Sequence, residues 1–253
     1  MPEPILPPIE SSGGGWYLRG DVGVGLEEMD GFNFDITNAC CAGALDGYSL
    51  IEKSMNDKAI VGAGLGYQWN DYLRFDLTGE YRGANNFGFT LAGPTAAPNQ
   101  EFNIYSATHS AAVGLLNAYY DIGDFWGVMP FIGAGAGFAY HNINNFHDVG
   151  AGDSVGGFGI APPTSTTSFS WALHAGVDYE VNQNLKLEMS YRYLDEGNAG
   201  AGIVTCFNTV SCADIDYTVR DISSHDMRVG MRWTFGEAPA PMHMPEPPVM
   251  RKY

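Results

Sequence analysis

Leu73-Arg74-Phe75-Asp76-Leu77-Thr78-Gly79-Glu80-Tyr81-Arg82 changes sides at every residue. Leu73, Phe75, Leu77 and Tyr81 fall on one face; Arg74, Asp76, Thr78, Glu80 and Arg82 fall on the other. A period of two is that of a β-strand with two unlike faces. The pattern recurs along the chain. Trp16, Leu18, Val22 and Val24 oppose Tyr17, Arg19, Asp21, Gly23 and Gly25, and Ala59, Val61, Ala63, Leu65, Tyr67 and Trp69 oppose Gly62, Gly64, Gly66 and Gln68. Leu185, Leu187, Met189, Tyr191 and Tyr193 oppose Lys186, Glu188, Ser190 and Arg192, and Met227, Val229, Met231, Trp233 and Phe235 oppose Arg228, Gly230, Arg232 and Thr234.

Eight strands are expected, over Gly15–Glu27, Lys58–Asn70, Tyr72–Arg82, Thr108–Asp121, Phe125–Tyr140, Phe169–Val181, Leu185–Leu194 and Asp226–Phe235. They exceed the roughly five or six residues usual in soluble sheets and are long enough to cross a bilayer at a tilt. Every second gap is a tight turn: Asn70-Asp71, Asp121-Ile122-Gly123-Asp124 and Asn182-Gln183-Asn184. The other gaps, 28–57, 83–107, 141–168 and 195–225, read as long loops rich in Gly, Asn, Asp, Ser and Thr. All of them fall at one end of an up-and-down meander, which is the asymmetry of an outer-membrane barrel.

The polar face carries Arg19, Arg74, Arg82, Lys186, Arg192, Arg228 and Arg232 against Asp21, Asp76, Glu80, Asp178, Glu180 and Glu188. A narrow eight-stranded barrel fills its interior with side chains, and charges persist there only when they pair. The near balance of signs fits enclosure. A soluble lipocalin-like barrel, with its apolar face inward, is the rival. Aromatic placement separates the two: Trp16, Tyr67, Trp69, Tyr120, Trp126, Tyr179, Trp233 and Phe235 gather at the short-turn end, and Tyr81, Phe138, Tyr140, Trp171 and Tyr193 at the other. Two girdles flanking an aliphatic band belong to strands that cross both interfaces of a membrane.

Composition narrows the function classes. Twelve Lys+Arg against 29 Asp+Glu in 253 residues give a net charge of −17, too little positive charge for a nucleic-acid partner. The most apolar stretch, Gly127 to Ala139, is short, glycine-rich and broken by Pro130, so no transmembrane helix is expected. Met1-Pro2-Glu3-Pro4-Ile5-Leu6-Pro7-Pro8 lacks the features of a signal peptide, so the leader is expected to have been removed or the start misassigned. Cys40, Cys41, Cys206 and Cys212 lack zinc-knuckle spacing and are candidates for loop-stapling disulfides in an oxidising compartment, with three full connectivities open.

Gly15-Trp16-Tyr17-Leu18-Arg19-Gly20-Asp21-Val22-Gly23, Asn117-Ala118-Tyr119-Tyr120-Asp121, Pro130-Phe131-Ile132-Gly133-Ala134-Gly135-Ala136-Gly137, Tyr191-Arg192-Tyr193-Leu194 and Arg228-Val229-Gly230-Met231-Arg232-Trp233-Thr234-Phe235 occur in that order. Together they resemble the opacity-antigen-like outer-membrane β-barrel family, especially its rhizobial and related alphaproteobacterial members, over residues 15–235. The resemblance implies an all-β, eight-stranded antiparallel transmembrane barrel with periplasmic termini and four surface loops. It also implies an insertion signal at Phe235, read by the barrel assembly machinery; this chain continues eighteen residues past it. The family carries no common catalytic motif.

Carboxylates crowd the expected loops, with Glu28, Asp30, Asp35, Asp46, Glu52 and Asp57 in the first and Asp195, Glu196, Asp214, Asp216 and Asp221 in the last. They read as a solvated, repulsive surface, since no calcium-loop spacing accompanies them. His109 beside Ser110, with His141 and His147 opening the third loop, lacks a nucleophile-elbow motif, and His174 reads as a hydrogen-bonded filler of the polar face. No enzyme activity, metal or cofactor is expected. The proline-rich segments 1–14 and 236–253 read as extended periplasmic tails placed to meet peptidoglycan. The expected partners are outer-membrane lipid and lipopolysaccharide, the assembly machinery and, through the tails, peptidoglycan. The expected function is envelope architecture and surface display. The alternatives are a narrow porin-like passage, left open by the glycine-lined strands, and a loop-mediated adhesin or haem and ligand binder.

Overall fold

Backbone amides in a membrane must find partners within the protein, and a sheet achieves this by closing on itself. The computed structural model describes residues 14–36, 45–207 and 215–235. Among them ten strands form: β1 (Gly15–Ile36), β2 (Ser49–Met55), β3 (Lys58–Gln68), β4 (Leu73–Ala92), β5 (Glu101–Asp121), β6 (Val128–Gly152), β7 (Phe158–Ala161), β8 (Thr164–Glu180), β9 (Leu185–Phe207) and β10 (Ile215–Phe235). Eight of these, β1, β3, β4, β5, β6, β8, β9 and β10, pair antiparallel around a ring. The seam between β1 and β10 runs from Trp16↔Phe235 to Ile36↔Ile215. The proline and methionine-rich ends and Cys40, Cys41 and Cys212 lie outside the described residues, as does the side chain of Cys206.

Asx turns set the tight end. Asn70 Oδ1 accepts from the backbone N–H groups of Tyr72 and Leu73, and Asn182 Oδ1 from those of Asn184 and Leu185. The third turn differs from the expectation that a strand begins at Phe125. Trp126 and Gly127 both adopt positive φ, 60° and 85°, so Phe125 to Val128 is a hairpin turn and β6 starts at Val128. Trp126 thereby sits in the turn with its side chain wholly exposed.

The larger correction concerns the expected loops. Most of residues 28–36, 83–92, 101–107, 141–152 and 195–207 continue the barrel wall as strand. At about 3.3 Å per residue and a tilt near 40°, the 25 residues of β6 rise roughly 60 Å, more than twice the ~25 Å apolar band of an outer-membrane barrel. Beyond the bilayer the inward face turns apolar, while the outward face mixes polar side chains with exposed Phe34, Ile51, Ile104, Val149 and Ile203. In β4, Leu73, Phe75, Leu77 and Tyr81 point outward and Arg74, Asp76, Glu80 and Arg82 inward, whereas higher up Phe87, Phe89 and Leu91 are buried inside. A register shift between Arg82 and Asn85 inserts one residue, which moves every later side chain to the opposite face. Comparable bulges at Asn145 in β6 (φ 54°) and Asp221 in β10 (φ 50°) lie in the same zone. A wall in oil needs its grease outside; a wall in water needs it inside.

Two interruptions mark the upper wall. β2 extends the line of β3 past Asn56 and Asp57, and β7 extends that of β8 past Pro162-Pro163, whose rings remove two ladder donors. Inside this extracellular collar Met29, Phe87, Phe89, Leu91, Tyr105, Phe146, Val204 and Tyr217 form a buried cluster. Phe89 stacks on Tyr105 at 4.3 Å and on Phe32 at 3.5 Å between centroids, and the Tyr105 and Tyr217 hydroxyls meet at 2.8 Å.

Candidate functional site: the filled lumen

Below the collar the lumen is a column of ion pairs delivered by inward positions of seven of the eight ring strands, β6 adding Phe131 and His141. At the periplasmic end Arg74 of β4 is held between the rings of Tyr119 and Phe131, 4.3 and 4.4 Å from its guanidinium carbon. Its Nε donates to Asp121 Oδ1 at 3.1 Å, and Arg232 of β10 donates to Asp178 of β8. One layer higher, Arg19 of β1 donates to Asp76 Oδ2 at 3.1 Å, to the Tyr119 hydroxyl at 2.9 Å and to Glu188 Oε1 at 2.6 Å. Asn117 bridges Asp76 and Thr78 and receives His174 Nε2 at 3.2 Å.

Glu80 is the hub of the next layer. Arg192 donates to both its oxygens at 2.6 and 2.8 Å, Arg228 to Oε2 at 2.8 Å and Arg82 to Oε1 at 3.3 Å. Asp226 holds Arg82 and Arg192 from the other side, and Asp21 holds Arg228. Seven cations and nine carboxylates are buried among the described residues, so nearly every charge has an opposite neighbour. Opposite charge is what burial demands of an ion first; hydrogen bonding is less complete, with Arg74 Nη1 and Nη2, Asp178 Oδ1 and Arg232 Nε buried and making none.

A final polar layer lies under the aromatic collar. Lys58 of β3 pairs with Glu27 Oε2 at 2.8 Å and donates to His109 Nδ1 at 2.6 Å. With Lys58 as that donor, His109 Nε2–H faces His141 Nδ1 at 3.0 Å, and His141 Nε2–H faces the Glu196 carbonyl at 3.0 Å. Arg82 Nε lies 2.8 Å from Glu196 Oε1. This chain of contacts draws on six strands, and two of its members, His141 and Glu196, fall in stretches whose composition reads as loop. His147 points outward, against the Asn145 carbonyl.

Not every residue assigned to the polar face joins the network. Lys186 stays half-buried near the periplasmic mouth, its Nζ 3.3 Å from Met129 Sδ, and Glu180 is exposed. Several glycines facing the lumen are covered by neighbouring side chains. The Tyr17 ring lies against Gly66, the Tyr119 ring against Gly133 and the Asn117 amide against Gly135, each occupying the space a Cβ would need. Outward, Trp16, Trp69, Tyr120, Tyr179, Trp233 and Phe235 are exposed near the short turns, and Tyr67 packs edge-on between Trp16 and Trp69. Leu18, Val22, Val24, Leu65, Leu77, Leu116, Ile132, Met189 and Val229 present an aliphatic band above them.

In the collar two titrating groups are shifted. Burial, aided by a hydrogen bond to Glu101 Oε2 at 2.5 Å, pushes the Tyr48 phenol up to about 12. Burial also raises the Asp148 carboxyl to about 6. Among the described residues no set of three or more His, Cys, Asp and Glu side chains has metal-binding geometry.

Residues 7–235 match the outer membrane protein beta-barrel domain family. Over 225 residues the chain is 31% identical to an uncharacterized protein of Brucella melitensis, a match that covers 78% of this chain and 74% of that one. Over 228 residues it is 26% identical to a Rickettsia felis protein named as a candidate adhesin, covering 87% and 88%. Outer membrane protein OprG from Pseudomonas aeruginosa shares the fold, with a TM-score of 0.50 at 12% identity over 87% of this chain and 96% of that one. The chain belongs to the outer membrane protein beta-barrel domain family and is a protein of the cell outer membrane.

Proposed function

We propose that this outer-membrane barrel is a closed, non-enzymatic scaffold whose work is to hold a rigid, acidic collar outside the cell for display and contact. The doubly filled lumen is the observation that carries this reading. Ion pairs from Arg74 to Glu196 occupy the bilayer segment, and stacked rings of Phe89, Tyr105, Phe146 and Tyr217 occupy the segment above it. A solute would have to break both, and either kind of packing costs several kcal/mol to open locally, about 3–5 for one buried ion pair alone.

The collar supplies the working surface. Its wall is hydrogen-bonded strand, which holds outward side chains in a fixed array, and its outward charges include Glu28, Asp30, Glu52, Asp57 and Asp153 against Lys53 and Arg220. The adhesin description of the Rickettsia felis relative supports contact with other surfaces as the use of such an array. Lipid and lipopolysaccharide are the natural neighbours of the aromatic girdles. Single-channel recording in planar bilayers tests the closed state: no steady conductance is expected. A steady current that changes when Arg192 is replaced by alanine would overturn the scaffold reading in favour of a passage.

A further inference from the structure

Among the described residues the collar wall has a seam without a ladder. Within the membrane β1 pairs with β3, ending at Gly25↔Lys58. Above that point β1 keeps β10 as its partner, from Met29↔Ile222 to Ile36↔Ile215, while β2 pairs with β4, from Ser49↔Ala92 to Met55↔Phe87. No backbone hydrogen bond joins β1 to β2. Two strand edges therefore face each other across a slit of about 410 Å³ lined by Glu27, Glu28, Met29, Lys53, Ser54 and Met55.

One side chain spans it. Lys53 Nζ donates to the Met29 carbonyl at 2.6 Å and reaches the Asp30 carbonyl at 3.3 Å. These are acceptors of the β1 edge, and an ammonium from the facing strand occupies the place that backbone N–H groups would take in a continued ladder. The rim adds exposed Glu28, Asp30, Glu52 and Asp57, so the slit offers hydrogen-bond acceptors ringed by negative charge. Unpaired edges recruit extended segments, with main-chain bonds giving affinity and the alternating side chains giving selectivity.

We propose that this slit is a docking edge for an extended, lysine- or arginine-bearing segment of a partner protein, which adds to β1 as a strand. One of its backbone N–H groups replaces Lys53 on the Met29 carbonyl, its other main-chain bonds fall on alternate residues of that edge, and its basic side chains meet the rim carboxylates. The seven residues of β2 set the length of the opening, about 23 Å of extended chain. This inference rests on the reading of the collar as a contact surface.

The test uses the full chain in detergent micelles and three fluorescent seven-residue peptides: alternating lysine and valine, the same sequence with alternate backbone nitrogens methylated, and alternating glutamate and valine. Binding of the first is expected, at least tenfold weaker for the other two, with new amide-exchange protection confined to β1 residues 27–35. Lys53→Ala, checked for folding by heat-modifiable migration, is expected to tighten binding several-fold by freeing the Met29 carbonyl. Equal binding of the methylated peptide would reduce the site to charge alone and overturn the proposal. Absence of binding to both the wild type and Lys53→Ala would overturn it too, as would a Lys53→Ala affinity equal to or below that of the wild type. A barrel that binds no peptide yet carries no current would leave the scaffold reading standing.

Discussion

Glu80 is where the inside-out arrangement is most exposed to experiment. Its carboxylate receives four hydrogen bonds from three arginines, and its side chain is 2% accessible. Glu80→Ala strips that shared anion from Arg82, Arg192 and Arg228 and leaves Asp226 and Asp21 to neutralise them. Removing one partner of a buried ion pair costs about 3–5 kcal/mol. Because three cations lose a partner but each retains another, a value near 4 kcal/mol follows, which is roughly a thousandfold in the unfolding equilibrium at about 1.4 kcal/mol per decade. Glu80→Gln preserves shape and some acceptor capacity, so a smaller loss of about 2 kcal/mol is expected. Urea-dependent unfolding in lipid vesicles, followed by the migration difference between folded and boiled protein, measures both. A Glu80→Ala loss under about 1 kcal/mol, the scale of a solvent-exposed pair, would place this face in water instead of in an enclosed lumen.

Phe89→Ala, which removes the ring stacked between Phe32 and Tyr105, is expected to cost about 3–5 kcal/mol in the collar while heat-modifiable migration of the barrel persists. Gly66→Ala places a methyl in the Tyr17 ring and is expected to destabilise by about 1–3 kcal/mol in the same urea assay, an effect that Tyr17→Ala in the same chain relieves in part. The Asp148 carboxyl titrates at about 6 in the folded collar, above its ordinary value near 4, so the stability it lends is complete below about pH 4 and lost as pH rises through 6. Collar amides in β5 and β6, corrected for intrinsic rates, are therefore expected to exchange more slowly at pH 4.5 than at pH 7.5, and Asp148→Asn to flatten that difference.

Alternation alone located the membrane half of the wall, because oil outside and charge inside impose one period on residues such as 73–82 and 185–193. It also assigned Arg19, Asp76, Glu80, Glu188 and Arg228 to one face. Their pairings were beyond its reach, since Arg19 and Asp76 stand 57 positions apart and Asp21 and Arg228 stand 207 apart. Lys58 was within reach: Ala59 points outward, so its neighbour must point in. Glu27 closes the first expected strand and Glu196 falls in the last expected loop, since loop-like composition begins where the wall still continues as strand. The collar escaped for a physical reason. Phe87, Phe89 and Leu91 keep the period of two, but a bulge and a change of solvent exchange the meaning of the faces, so a pattern sought as grease outward is present as grease inward.

In β4 one continuous strand meets hydrocarbon below and water above, with its faces exchanged at the bulge between Arg82 and Asn85. A nitroxide scan of β4 in lipid vesicles, on a chain whose four cysteines are replaced by serine, tests it residue by residue from 73 to 92. Oxygen accessibility is predicted to peak at 73, 75, 77, 79 and 81, and accessibility to a water-soluble nickel reagent to peak at 84, 86, 88 and 90, a change of parity between 82 and 85. Nickel accessibility peaking at 74, 76, 78 and 80, or a single unbroken parity through residue 92, would contradict it.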